Sequence, residues 1–144
     1  MIPKIIYQDD HLLVLDKPPG LVVDPAESVK TETLVDILKK NFDIQLPRSG
    51  IVHRLDKDTS GILLVAKALS SLENLQNQFQ ERVVRKEYLA LVHGLIMEGG
   101  AVEGSIGRNP GNREKFIVLE SGKEAVTEYE PVERLQLTGD RLQE

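Results

Sequence analysis

Nine short runs of alternating or continuous apolar character, each cut off by Gly, Pro, Asn or Asp, succeed one another along the chain, and only two segments carry a helical period. The runs are residues 4–8, 12–17, 51–55, 61–67, 83–94, 101–107, 115–120, 124–130 and 134–137. Such a succession predicts an α+β fold with a largely antiparallel mixed sheet flanked by two or more helices. In 31–42, Leu34, Ile37, Leu38 and Phe42 fall on one helical face, and Thr33 with Asp36 makes a capping-box pattern. In 69–84, Leu72, Leu75 and Phe79 form a second stripe, with Ser70 three residues before Glu73 as its start signal. Both stripes read as core rather than as cofactor contacts. No repeat, low-complexity tract or linker interrupts the pattern, so residues 1–144 are read as one domain. A chain of this length buries about 68–70% of its unfolded surface and needs no covalent staple.

Composition removes several chemistries. The absence of Cys excludes disulfides, thiol nucleophiles and cysteine metal clusters, and His11, His53 and His93 stand forty or more residues apart rather than at ligand spacing. No metal is expected. No apolar run reaches the ~18–20 residues of a membrane span, and the start MIPKIIYQDD lacks the apolar stretch of a signal peptide, which predicts a soluble, cytoplasmic protein without a membrane partner. The net charge of −5 argues against nucleic acid on average, since Lys and Arg supply most of that affinity. The distribution is uneven, however. Residues 48–67 carry +2 (Arg48, Arg54, Lys57 and Lys67 against Asp56 and Asp58), and 108–115 also carry +2 (Arg108, Arg113 and Lys115 against Glu114). Residues 120–144 carry −4, with seven acids against Lys123, Arg134 and Arg141. A basic surface local to one site is compatible with this pattern, as is a mixed solvated surface.

The segment from Ser49 to Val65 concentrates the chemistry. Its Asp56-Lys57-Asp58-Thr59-Ser60-Gly61 portion reads as an exposed turn whose short polar side chains bond their own backbone. If a strand continues through Arg54-Leu55-Asp56, the period of two places Arg54 and Asp56 on one face and turns Leu55 to the core. A carboxylate at a strand end beside a cation stays ionised, the form in which a nucleophile attacks.

The run His53-Arg54-Leu55-Asp56, followed by Thr59-Ser60-Gly61 and an apolar strand, resembles the catalytic motif of the RluA family of pseudouridine synthases at each fixed position. The resemblance extends to Lys17-Pro18-Pro19-Gly20, to Lys86-Glu87-Tyr88-Leu89-Ala90-Leu91-Val92-His93-Gly94, to Ile106 through Lys115, and to Gly122 through Tyr129. It covers about residues 5–137. It implies a pseudouridine synthase-like fold and isomerisation of uridine to pseudouridine in structured ribosomal or transfer RNA, without a cofactor. On this resemblance Asp56 is the nucleophile, Tyr88 stacks on the uracil and is a candidate for removing the C5 proton, and Arg54 enters the space left by a flipped nucleotide. His53 hydrogen-bonds locally or touches RNA, Lys86 pairs with an acid or a phosphate, and Lys17 is a turn residue near the site. Arg108 and Arg113, with Lys115, form an RNA-facing loop.

The family pattern continues through Thr-Gly-Arg-Thr-His-Gln-Ile-Arg, whereas here Thr138-Gly139 is followed by Asp140-Arg141-Leu142-Gln143-Glu144. The arginine expected to pair with the nucleophilic carboxylate is replaced, and Arg141 stands one residue out of register. The chain is therefore read as a partial, C-terminally truncated catalytic domain without the N-terminal RNA-binding domain of many relatives. Two functions compete: an RNA uridine isomerase, and a catalytically impaired remnant that binds RNA or a partner.

Overall fold

A computed structural model describes residues 2–27, 29–133, 136–138 and 141–143, without the side chains of 113, 114, 136–138 and 141–143. The chain divides into two compact units, one ending at Tyr88 and one beginning at Leu89. In the first, β1 (Lys4–Gln8), β2 (Leu12–Lys17) and β3 (Gly61–Ala66) form an antiparallel sheet in that order. Helix α1 (Leu34–Asn41) and a short 3₁₀ turn (Pro47–Gly50) separate β2 from β3, and α2 (Leu69–Gln80) follows β3. Alternation along β2 turns Leu13, Leu15 and Lys17 inward, and Leu63 and Val65 of β3 do the same. These leucines and valines pack with Leu34, Val35 and Leu38 of α1 and with Ile51 into one apolar core.

The helix α1 begins as its sequence predicts. Thr33 Oγ1 accepts the Asp36 N–H, and Asp36 Oδ2 accepts the Thr33 N–H at 3.0 Å, so two free donors of the first turn are satisfied reciprocally. These Thr33 hydrogen bonds hold the Asp36 carboxyl below its ordinary pKa. In α2 the expected stripe is present, with Leu72 fully inward and Leu75 and Phe79 half-buried. Its start differs from expectation. The N-cap is Ala68, which offers no side-chain acceptor, and Ser70 lies inside the first turn.

The second unit contains β4 (Gly100–Asn109), β5 (Asn112–Val118) and β6 (Lys123–Tyr129) in the antiparallel order β5-β4-β6, then a hairpin of β7 (Gln136–Thr138) and β8 (Arg141–Gln143). All described pairings are antiparallel, as an α+β chain of this pattern requires. The expected run 134–137 is described only from Gln136 onward, and Arg134 and Leu135 lie outside the described residues.

Two expected strands are absent. The run 51–55 contributes only the single bridge Ile51↔Val65. Its next rung is taken by a side chain: His53 Nε2 accepts the Leu64 N–H at 3.0 Å, so the edge of β3 is satisfied by an imidazole instead of a backbone carbonyl. The run 83–94 has strand-like alternation but pairs with no strand among the described residues, and a strand exists only as part of a ladder. Leu89 is 90% exposed as a result.

Candidate active site

The turn after His53 is fixed from beneath by a buried lysine. Lys17 shares the inward face of β2 with Leu13 and Leu15, and its ammonium donates to the carbonyls of Pro18 (3.0 Å), Leu21 (2.9 Å) and Lys57 (3.0 Å). All three donors of the ammonium are thereby used. Gly20 sits at φ +85°, a conformation open to glycine, and its N–H donates to the same Lys57 carbonyl at 2.8 Å. The Lys17-Pro18-Pro19-Gly20 turn and the Asp56–Thr59 turn are thus tied at one carbonyl. Within the latter, the Thr59 N–H donates to the Asp56 carbonyl at 3.2 Å. Burial pushes the Lys17 ammonium below the ordinary lysine pKa, and the carboxylates of Asp58 and Asp56 act in the opposite sense.

Above this support lies a cavity of about 320 Å³ lined by Arg54, Leu55, Asp56, Thr59 and Tyr88. It falls within the size range of small-molecule sites, about 300–1,000 Å³. Leu55 turns inward at 8% exposure while its neighbours Arg54 and Asp56 are exposed, which is the inside-outside alternation expected of a strand although no strand forms here. Tyr88, 63% exposed, brings a phenol ring to the same cavity from thirty-two residues further along the chain. A carboxylate, a guanidinium, a hydroxyl and an aromatic ring therefore border one space large enough for a planar base.

His53 stands behind this group. Its ring stacks on Phe79 of α2 with centroids 4.8 Å apart, and its Nε2 is occupied as an acceptor. An acceptor nitrogen carries no proton, so the ring is neutral and links the motif to β3 and α2. Burial, reinforced by the charge of Lys86, holds the His53 pKa below its ordinary value. The consequence for stability has a definite sign. Between the lowered folded pKa and the unfolded value near ~6.5 the unfolded chain binds more protons, so stability is complete above about pH 6.5 and falls as the pH drops below it. Urea midpoints measured from pH 7.5 to 5 are expected to show this decline, with a smaller decline in His53→Gln, which keeps an acceptor without a titrating ring. An identical pH profile in the variant would contradict the assignment.

Of the residues the motif singled out, Asp56, Tyr88 and Arg54 meet at the cavity. His53 takes the local hydrogen-bonding role of the two open to it. Lys86 is exposed and does not line the cavity. Arg108 belongs to the second unit, in β4 rather than in a loop, with its guanidinium 4.2 Å from the ring centroid of Phe116. Lys115 likewise lies within β5, so the expected basic loop is a pair of strands joined by a turn. The Arg113 side chain, and that of Arg141, lie outside the described residues. Thr59, a fixed position of the motif with no role assigned from the sequence, joins the cavity lining, and Lys17, expected as a turn residue, is a buried residue of β2 whose ammonium holds the turn. The signal for Lys17 is the period of two, which sets a lysine in line with two core leucines.

Comparison with known proteins agrees with the motif. Residues 11–142 match the family described as RNA pseudouridylate synthase. The chain is 45% identical over 133 residues to ribosomal large subunit pseudouridine synthase D of Nitrosomonas europaea, covering 91% of this chain and 39% of that protein. The protein of the same name from Pseudomonas aeruginosa is 46% identical over 135 residues, covering 92% and 42%. The chain thus spans about two fifths of the length of these relatives. Among solved structures, human RNA pseudouridylate synthase domain containing 4 superposes with a TM-score of 0.64 at 26% identity, over 88% of this chain and 52% of that one. With the aspartate motif folded beside a tyrosine and nearly the whole sequence matched, the chain belongs to the RNA pseudouridylate synthase family.

Proposed function

We propose that the chain isomerises uridine to pseudouridine in structured ribosomal or transfer RNA in the cytoplasm, with Asp56 as nucleophile, and that residues 1–144 are part of a catalytic domain. The reading is carried by one observation: Asp56 and Tyr88, distant in sequence, line the same cavity with Arg54. The reaction breaks the N1–C1′ bond, rejoins the ring through C5, and moves a proton from C5 while N1 gains one, so no oxidant, reductant or cofactor is consumed. Asp56 supplies the anion that attacks, and Tyr88 offers a ring for the extruded base with its hydroxyl as proton acceptor from C5. Arg54, Lys86, Arg108 and Arg113 meet RNA, and His53 positions the motif that carries Asp56. The test is tritium release from RNA labelled at uridine C5, with a ribosomal or transfer RNA transcript and the 144-residue chain. Release at a stoichiometry above one per protein supports the reading, and binding of RNA without release overturns it in favour of a non-catalytic RNA-binding role.

Arg54 gives a separate prediction. Its exposed guanidinium borders the cavity and can fill the gap left by an unstacked base while bonding phosphate. Arg54→Ala is expected to weaken binding to a structured hairpin about tenfold and to an isolated single-stranded loop by less, because only the hairpin has a gap to fill. Equal losses on both RNAs in a filter-binding titration would contradict this role.

A further inference from the structure

Three successive residues of the Pro47–Gly50 turn lie in the left-handed region: Arg48 and Ser49, each at φ 51°, and Gly50 at φ 78°. Glycine adopts this conformation freely, whereas the Cβ atoms of Arg and Ser disfavour it. Gly50 also has no room for a side chain, since a Cβ would overlap the Ala66 carbonyl oxygen at the end of β3. Ser49 adds a second cost, because its side chain is buried and its hydroxyl has no hydrogen-bond partner among the described residues. A turn with such penalties persists only where its surroundings over-determine it. Two bonds act locally, from the Ser49 N–H to the Leu46 carbonyl at 2.9 Å and from the Ile51 N–H to the Arg48 carbonyl at 3.1 Å. The long-range restraint is a bidentate ion pair. Arg48 donates to Asp24 Oδ1 from Nε (3.0 Å) and Nη2 (2.8 Å), and to Asp24 Oδ2 from Nη2 (2.6 Å).

Asp24 ends the segment that begins at Lys17, whose ammonium, with the Gly20 N–H, holds the Lys57 carbonyl. That segment is itself fixed to the start of α1, where the Leu34 and Val35 N–H groups donate to the carbonyls of Val22 (2.9 Å) and Val23 (3.1 Å). The stretch 48–57 is therefore fastened to one rigid segment at both of its ends. Between those ends its backbone meets β3 only through the Ile51↔Val65 bridge and the bond from the Leu64 N–H to His53 Nε2. A slip of one residue in this extended run exchanges its two sides, turning Leu55 to the cavity and withdrawing Asp56 and Arg54 from it. We infer that Asp24 and Arg48 are positioning residues, a clamp that holds the strained turn and sets the register in which Asp56 reaches the cavity. The effect of the clamp on turnover rests on Asp56 acting as the nucleophile, as proposed above, whereas its effect on register does not. With the Arg48 side chain 47% exposed and that of Asp24 25%, the pair contributes little to global stability, so register and unfolding are separable.

The experiment measures three quantities on the 144-residue chain: the single-turnover rate of tritium release from uridine-labelled RNA, RNA affinity by filter binding, and amide hydrogen exchange at Leu64, whose acceptor is the His53 ring. Asp24→Ala and Arg48→Ala are each expected to lower the rate about tenfold with affinity within about twofold of the parent, because misplacement of a reacting group costs rate before binding. Both are also expected to speed exchange at Leu64 about fivefold relative to the amides of β2, as a local opening does. The double variant Asp24→Arg with Arg48→Asp reverses the pair and is expected to restore rate and exchange to within about threefold, since Asp tolerates the left-handed region. Ser49→Gly removes the disfavoured φ and the unpartnered hydroxyl, and in that background Asp24→Ala is expected to lower the rate only about twofold. Lys40→Gln, which breaks the exposed pair with Glu32 at 3.7 Å, leaves rate and exchange unchanged. Leu64 exchange within about twofold of the parent in both single variants overturns the clamp, and so does a loss that the reversed pair does not restore. A parent chain that releases no tritium defeats the nucleophile reading instead. Exchange at Leu64 then decides the clamp by itself, which stands if the single variants speed it and the reversed pair restores it.

Discussion

Substitution of Asp56 by Asn is expected to reduce pseudouridine formation to background, a loss of at least about a thousandfold, while leaving the fold intact. The amide has nearly the same shape and no charge, so it cannot act as the attacking anion. Structural cost is small because the Asp56 side chain is exposed at the cavity, and the turn is held by backbone atoms: the Asp56 carbonyl accepts from Thr59, and the Lys57 carbonyl accepts from Lys17 and Gly20. None of these bonds involves the Asp56 carboxylate. Tritium release on uridine-labelled RNA reads activity, and a urea melt reads stability. Retained release would remove Asp56 from the mechanism. A variant that unfolds at a urea concentration well below the parent would show instead that the carboxylate supports the turn, contrary to the bonds described here.

The same distinction between backbone and side chain explains how far the sequence could be read. Elements whose apolar spacing matches their period were found with close boundaries: β2 over 12–17 and α1 with its Thr33–Asp36 cap are local in origin, requiring little from distant residues. The strand expected at 51–55 failed because the edge of β3 is completed by the His53 ring, a long-range choice invisible to local periodicity. That at 83–94 failed because alternation specifies a strand without supplying a neighbour to pair with. The motif from His53 to Gly61 was legible as a unit, and Asp56 and Tyr88 do border one cavity, but which residues hold them there was not. Thr59 is marked by its place in the motif, but nothing in the sequence sets it in the cavity lining. Arg108 was legible as a cation but not as half of a stack, since its neighbour Phe116 is set by the β4–β5 register.

Lys17 should carry the largest stability effect of a single side chain near the site. A fully buried lysine is costly unless every donor is satisfied, and here three backbone carbonyls do so at 2.9–3.0 Å. Lys17→Met fills nearly the same volume, so little cavity is created, but it leaves the Pro18 and Leu21 carbonyls without this donor and Lys57 with Gly20 alone. Hydrogen bonds to a charged group contribute about 1.5–3 kcal/mol each, and removing the ammonium also removes its desolvation cost, which offsets a large part of the sum. A net destabilisation of about 2–3 kcal/mol follows, readable as a lowered urea midpoint. Because the Lys57 carbonyl belongs to the turn that bears Asp56, turnover measured below the unfolding transition is expected to fall about tenfold or more with little change in RNA affinity, since a small misplacement of a reacting group costs rate before it costs binding. Lys17→Arg keeps the charge but cannot present three donors from one compact head within the same space, so it is expected to rescue neither quantity fully. A Lys17→Met protein as stable as the parent would show that the buried ammonium does not hold the two turns together. One that is destabilised but turns over at the parent rate would confine the lysine to the fold and leave the placement of Asp56 to the Thr59 and Gly20 bonds.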